Sequence, residues 1–296
     1  MASDGGDPIK SALALTIWKS PERAELLAGG ITNHNVRVHD EGASYVVRLG
    51  HDIPAHMVMR WNELAISRAA HQAGIAPEVV HAEAGVLVLR YVEADALTGD
   101  DLHDPATLAA TVALVRHLHR HGLDALTGPV LSFWVFHILR SYAAFLRANG
   151  SDHIALLEPL MDQAADLETR VGPISLVLSH NDLLPANVLK AKDRMWLIDW
   201  EYGGLNSPLF DLGGLATNAG LPPEAEEAML AQYFDAPPSE DLLRRYGAMK
   251  CASLLREAMW SMVSEISSTL DVDYRAYTLE NLDKYRNALS NYLKDN

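Results

Sequence analysis

The hydrophobic pattern changes once along this chain, and that change constrains the fold more than any other feature. Before Val92, short β-rich runs alternate with tight turns. Ile31 to Val38 and Tyr45 to Leu49 read as strands around the turn Asp40-Glu41-Gly42. Glu78 to His81 and Val86 to Tyr91 read as two more, around Glu83-Ala84-Gly85. Between the pairs, Arg60 to Ala73 has the spacing of an amphipathic helix, stopped by Gly74 with Pro77 beyond it. After Val92 the period is helical. Pro105 to His121 places Leu108, Val112, Val115 and His119 on one face, and Phe133 to Asn149 and Ile154 to Val171 continue the pattern. A short strand at Ser175 to Leu178 and a hairpin, Val188 to Ala191 with Met195 to Ile198, interrupt it. The remainder reads as helix broken at Gly203-Gly204 and Leu221-Pro222-Pro223. The expectation is an α+β protein with a small antiparallel-sheet lobe over residues 1–92 and a larger, mainly helical lobe over 93–296. The two meet at a hinge near Tyr91 to Ala94, without a flexible linker.

The chain has 296 residues, enough for two closely packed lobes with a substantial core. Residues 1 to about 10 are small and polar and read as loose. A formal net charge of −15 disfavours nucleic acid as a partner, because such binding needs clustered Lys and Arg. It suits a cationic small molecule better. The single cysteine, Cys251, rules out an intrachain disulfide. No basic start leads into an apolar stretch, and no apolar run is long enough to span a bilayer. A cytoplasmic protein with no membrane partner is expected; a homodimer is left open.

Chemistry concentrates in Ser179-His180-Asn181-Asp182-Leu183-Leu184-Pro185-Ala186-Asn187-Val188-Leu189 and in Leu197-Ile198-Asp199-Trp200-Glu201-Tyr202. Phosphoryl transfer needs one carboxylate to orient an attacking hydroxyl and accept its proton. It also needs oxygen ligands for Mg²⁺. Asp182 fits the first role, and Asn187 and Asp199 fit the second. Asn187 enters the first strand of the hairpin and Asp199 follows the second, so antiparallel pairing brings the two together. His180 reads as a structural histidine that holds the loop. Gly29-Gly30 before a strand would let backbone approach a phosphate, with Thr32 and Asn33 as further donors.

These segments resemble the choline/ethanolamine kinase branch of the aminoglycoside phosphotransferase-like family, which has a protein-kinase-like bilobal fold. The anchors are Gly29 to Asn33, Tyr45-Val46-Val47-Arg48-Leu49-Gly50, His180 to Leu189, Ile198 to Tyr202 and Leu270-Asp271-Val272-Asp273-Tyr274-Arg275-Ala276-Tyr277. The resemblance implies ATP as cosubstrate with Mg²⁺. Asp182 would be the catalytic aspartate, and Asn187 and Asp199 the metal ligands. Gly30, Thr32 and Asn33 would lie in a loop over the nucleotide. Arg48 would contact phosphates and pair with Glu63, and the backbone of Arg90 to Val92 would hold the adenine. Phe210-Asp211-Leu212 would buttress the catalytic loop.

For the acceptor, the resemblance implies an aromatic and acidic cage around a cationic group. The matching positions are Tyr202, Trp260, Tyr274 and Tyr277, and Glu201 joins them because it follows Asp199 closely, at the mouth of the site. One position departs from the pattern: where a second tryptophan is usual, three residues before Trp260, stands Glu257. A carboxylate there favours an amine that donates hydrogen bonds over a trimethylammonium that has none to donate. The expected activity is phosphorylation of the hydroxyl of a choline- or ethanolamine-type amino alcohol. The alternatives are the same fold acting on an aminoglycoside, thiamine or homoserine, and a binding protein without catalysis.

Overall fold

The computed structural model describes residues 7–27 and 33–295. A five-stranded antiparallel sheet dominates the first third of the chain, in the order β1-β2-β3-β5-β4. Its strands are β1 (Pro21–Leu26), β2 (His34–Asp40), β3 (Ala43–Leu49), β4 (Val79–Glu83) and β5 (Val86–Arg90). Period-two alternation sends Val36, Val38, Val47 and Val88 to one face, where they form a small core. A short helix, α1 (Pro8–Leu13), covers this core with Ala12, aided by Ile9 and Trp18. Because Val47 faces α1, its neighbour Arg48 faces the opposite side, toward the rest of the molecule.

That side is occupied by α2 (Arg60–Gln72). Its Ile66, Ala69 and Ala70 join the large core of the helical part, not the small core of the sheet. The Asn62 amide ties α2 to that part at both ends of the side chain. Its nitrogen donates to the Gly203 carbonyl at 2.8 Å and its oxygen accepts from the Leu131 N–H at 2.9 Å. Gly203 is needed for this contact, since a Cβ there would stand 2.6 Å from the Ile66 side chain.

The helical part consists of α3 (Pro105–Ala125), α4 (Val135–Ala148), α5 (Ile154–Val171), α6 (Pro208–Ala219), α7 (Pro223–Phe234), α8 (Glu240–Ser267) and α9 (Tyr274–Asp295). Helix α8 is buried nearly all round over Ala248–Val263, and α4, α5, α6 and α9 pack on it. Asp104, Ser207 and Ser239 cap α3, α6 and α8 by accepting early backbone N–H groups. Two small sheets lie at the junction: β7 (Val177–Ser179) with β10 (Gly204–Asn206), and β6 (Asp95–Ala96) with β8 (Val188–Lys190) and β9 (Met195–Leu197). No described helix is long and apolar enough to cross a membrane.

The α+β architecture expected from the pattern, an antiparallel sheet followed by a mainly helical part, is the one observed. Several elements were not anticipated. Pro8–Leu13 is helical where a loose start was expected. β1 is largely exposed and polar, so it carries no alternating apolar signal and forms by pairing along the edge of β2. β6 and β10 are too short to show a period. The expected strand at Ser175 to Leu178 lies one to two residues later, and the expected start of β2 at Ile31 falls outside the described residues.

Candidate active site

The loop that carries Asp182 is held from three sides. Asn181 adopts a left-handed conformation with φ 66°, which asparagine tolerates better than most residues. Its side chain donates to the Tyr202 carbonyl at 2.9 Å and accepts from Asn206 at 2.9 Å. Beneath it the Asp211 carboxylate accepts the His180 and Asn181 backbone N–H groups, both at 2.8 Å. Asp211 is itself fixed by His119, whose Nε2 donates at 2.9 Å and whose Nδ1 meets the Tyr233 hydroxyl at 2.8 Å. The expected buttress at Phe210-Asp211-Leu212 therefore works through this one carboxylate. His180 donates from Nε2 to the Ile198 carbonyl at 2.8 Å, and burial lowers its pKa, so the ring is neutral.

Asp211→Asn should loosen this frame, because the His180 and Asn181 N–H groups use different carboxylate oxygens and an amide keeps only one, its nitrogen being unable to accept the other N–H. We expect a loss of about 1–3 kcal/mol of stability by urea unfolding, with kcat down about tenfold or more.

The hairpin performs the expected juxtaposition. Val188 pairs with Leu197, and the Ile198 N–H continues the ladder to the Asn187 carbonyl at 3.0 Å. Asn187 and Asp199 therefore flank one end of it. The Asn187 amide nitrogen donates to the Asp182 carbonyl at 2.9 Å, which leaves its side-chain oxygen out of that bond. Asp199 is also left-handed, with φ 67°, and this turns the chain sharply after the hairpin.

Arg48 sits at the centre of a buried ion-pair network. Its Nε meets Glu63 at 2.8 Å, and its Nη2 meets Asp199 at 2.5 Å and Glu201 at 3.1 Å. Arg60 pairs with Glu63 at 2.6 Å and Glu201 at 3.2 Å, and the Asn33 amide donates to Glu201 at 2.9 Å. The network thus sets Asp199, Glu63 and Glu201 against two guanidiniums. The Asp199 carboxyl is held below its usual range by Arg48, against the effect of burial. Gly30 and Thr32, expected in the nucleotide loop, lie outside the described residues. At the expected hinge, the Arg90 and Tyr91 N–H groups are bonded to the Glu78 and Ser44 carbonyls. The Arg90 side chain lies over Tyr45, 4.6 Å from the ring centre.

Asp182 opens into a cavity that also contains Asn218, Ser253, Glu257, Tyr277 and Lys284. Burial pushes the Asp182 carboxyl up to about 8; Arg256 opposes the rise, and Glu257, Asp199 and Glu201 add to it. The expected acceptor residues divide here. Glu257 and Tyr277 line the cavity and are bonded to each other at 2.8 Å. Tyr202, Trp260 and Tyr274 do not line it. They are buried in a packed cluster in which the Trp260 indole N–H donates to the Tyr202 hydroxyl at 2.9 Å. Glu201 is not in the cavity either, because it points to Arg48 and Arg60. The turn at Asp199 explains the split, sending Glu201 toward the sheet and Tyr202 into the helical core.

Sequence reasoning missed Arg60, Asn62, His119, Asn206 and Arg256. Of these, only Arg60 left a local signal, its spacing of three from Glu63 on one helix. The others act across long sequence separations.

The structure thus sets Asp182 on a buttressed loop, Asn187 and Asp199 at one end of a hairpin and Arg48 on the facing sheet, and the relatives make the chain a small-molecule kinase. The chain belongs to the Phosphotransferase enzyme family, whose model matches residues 23–246. It is 28% identical over 266 residues to Protein LicA of Haemophilus influenzae, covering 86% of this chain and 76% of that one. It is 25% identical over 295 residues to a probable ethanolamine kinase of Arabidopsis thaliana, covering 88% and 78%. Among solved structures, a choline/ethanolamine kinase family protein from Mesorhizobium loti superposes with a TM-score of 0.77 at 26% identity, over 93% of this chain and 92% of that one. The choline kinase LicA from Streptococcus pneumoniae shares the fold at a TM-score of 0.77 and 22% identity, over 95% and 96%.

Proposed function

We propose that this kinase transfers the terminal phosphoryl group of ATP to the hydroxyl of a small amino alcohol of the choline or ethanolamine type. The observation that carries this reading is that Asp182 and Glu257 share one small cavity. One carboxylate stands where a hydroxyl would be activated, and a second stands where a positive group would be held. The cavity measures about 150 Å³, well below the roughly 300–1,000 Å³ of pockets for drug-sized ligands, which favours an acceptor of a few heavy atoms over an aminoglycoside. The names of the relatives point the same way.

Asp182 would orient the hydroxyl and take up its proton. Asn187 and Asp199 would hold Mg²⁺. Asn187 has its nitrogen turned to the Asp182 carbonyl, and among the described residues its oxygen has no recorded bond; Asp199 engages Arg48 through one of its two oxygens. Such hard oxygen donors suit this ion when phosphates complete the shell, and the ion would neutralise phosphate charge there. On this reading residues 1–92 form the nucleotide lobe and 93–296 the catalytic and acceptor lobe. Arg48, with Asn33, Gly30 and Thr32, would face the phosphates. The backbone of Val92, adjoining Arg90, would meet the base. Glu63 would keep Arg48 in place.

The test is a purified-enzyme screen of ATP consumption with Mg²⁺ and ethanolamine, its methylated relatives, choline, thiamine, homoserine or an aminoglycoside. Turnover confined to the amino alcohols is expected, and removal of Mg²⁺ by a chelator should abolish it. Phosphorylation only of thiamine, homoserine or the aminoglycoside would refute the reading.

A further inference from the structure

Arg256 is buried on α8, beside Asp182 and Glu257 in the cavity lining. Its guanidinium carbon lies 4.7 Å from the Tyr202 ring centre and 5.5 Å from that of Phe133. Nη1 donates to Glu257 at 2.7 Å. Nε and Nη2 have no hydrogen-bond partner among the described residues. An arginine buried with two unpartnered donors needs another source of stabilisation, and the aromatic faces supply it. Trp260 is stacked on His56 at 5.0 Å and 30°, and meets Tyr274 and Tyr277 nearly edge-on.

We propose that Arg256 sets the acceptor specificity of the site by seating its own cation on the aromatic faces beside Asp182, so that the site takes an alcohol bearing a primary or secondary ammonium and turns away a quaternary one. The proposal rests on the amino-alcohol reading above and deepens it. A quaternary ammonium has no N–H, so its recognition depends on aromatic faces. Here the Tyr202 and Phe133 faces already carry a guanidinium that itself lines the cavity, and a second cation placed against it would be repelled in a poorly solvated setting. A primary ammonium has another route. The Glu257 carboxylate accepts one bond from Arg256 and one from the Tyr277 hydroxyl, out of about four lone-pair sites. Asn281 spends its amide nitrogen on the Tyr277 carbonyl, which leaves its oxygen as a further acceptor in the cavity lining.

The test compares kcat/KM for ethanolamine and choline at saturating MgATP, in the wild type and in Arg256→Ala and Arg256→Gln. The wild type should prefer ethanolamine by at least ~10-fold, and the substitutions should move the choline-to-ethanolamine ratio toward choline by about the same factor. A purely structural role for Arg256 would lower both acceptors together and leave the ratio unchanged, which overturns the proposal. If the variants fail to fold, competition on the wild type decides. Methylammonium should inhibit ethanolamine turnover at lower concentration than tetramethylammonium, and the reverse order overturns the proposal. Choline preferred by the wild type would overturn the role of Arg256 while leaving the amino-alcohol reading intact. Turnover of no amino alcohol would remove both.

Discussion

Asp182→Asn is expected to lower kcat by about 10²–10⁴-fold while leaving the folded protein more stable at neutral pH. The loss of rate follows from the role proposed for the carboxylate, because an amide cannot accept the proton of the attacking hydroxyl. The gain in stability follows from the electrostatics. Burial raises the Asp182 pKa to about 8, from an ordinary value of 3.8. Between those values the native state holds more protons than the unfolded state, so the slope of unfolding free energy against pH is negative. Asp182 therefore contributes a destabilisation that grows from about pH 4 to about pH 8 and is then constant. Asparagine has the shape of the protonated acid and never charges, so it removes that burden. Because Asp182 borders an open cavity, a gain of about 1–2 kcal/mol is expected rather than the full value of the shift. Thermal unfolding without nucleotide or metal at pH 5 and pH 8 checks this. The variant should exceed the wild type by more at pH 8 than at pH 5. An equal or larger advantage at pH 5 would show that Asp182 is not held protonated by burial.

Arg48→Met is expected to have the largest effect on stability of any single change in the site, about 3–5 kcal/mol. Arg48 is 7% exposed and faces Glu63, Asp199 and Glu201, of which Glu63 and Glu201 are also buried. Its removal leaves those carboxylates without the guanidinium that all three share, and among the described residues Arg60 pairs directly with Glu63 and Glu201 but not with Asp199. For a chain of this length the loss corresponds to a fall in Tm of roughly 10 °C. The KM for ATP should rise as well, since the cation proposed to face the phosphates is gone. Arg48→Lys should recover little, because one ammonium cannot span the fork that guanidinium makes between Glu63 on one side and Asp199 with Glu201 on the other. In a double-mutant cycle, Glu63→Gln should cost markedly less in the Arg48→Met background than in the wild type. Strict additivity would show that the two residues are neighbours without being coupled.

The two predictions draw on information from different distances along the chain. The Asp182 loop and the hairpin from Val188 to Leu197 span fewer than twenty residues. Their turn residues, alternating strands and the spacing from Asp182 to Asn187 to Asp199 were all legible, because antiparallel pairing converts local order directly into proximity. The pairing of Arg48 with Glu63 joins a strand to a helix, and no periodicity connects the two. It was reached through resemblance alone. Glu201 was placed with the acceptor because it follows Asp199 closely, but the left-handed backbone at Asp199 reverses that inference. Arg256 gave no signal. Helix α8 is buried on nearly every side, so its pattern does not say which residue meets the cavity.

The sequence by itself therefore determined the α+β order, with the sheet first and the helices after it, and the local layout of the residues proposed for phosphoryl transfer, because these are written in short-range patterns of hydrophobicity and turn chemistry; the kinase-like class came from the resemblance of those segments to a known family. Only the tertiary structure decided what surrounds them: that Asp211 and His119 hold the Asp182 loop, that Glu201 joins Arg48, and that an arginine rests on the Tyr202 and Phe133 faces near Asp182. Those contacts depend on how α2, α3, α6 and α8 pack, and packing sums many weak, long-range choices that no local pattern encodes.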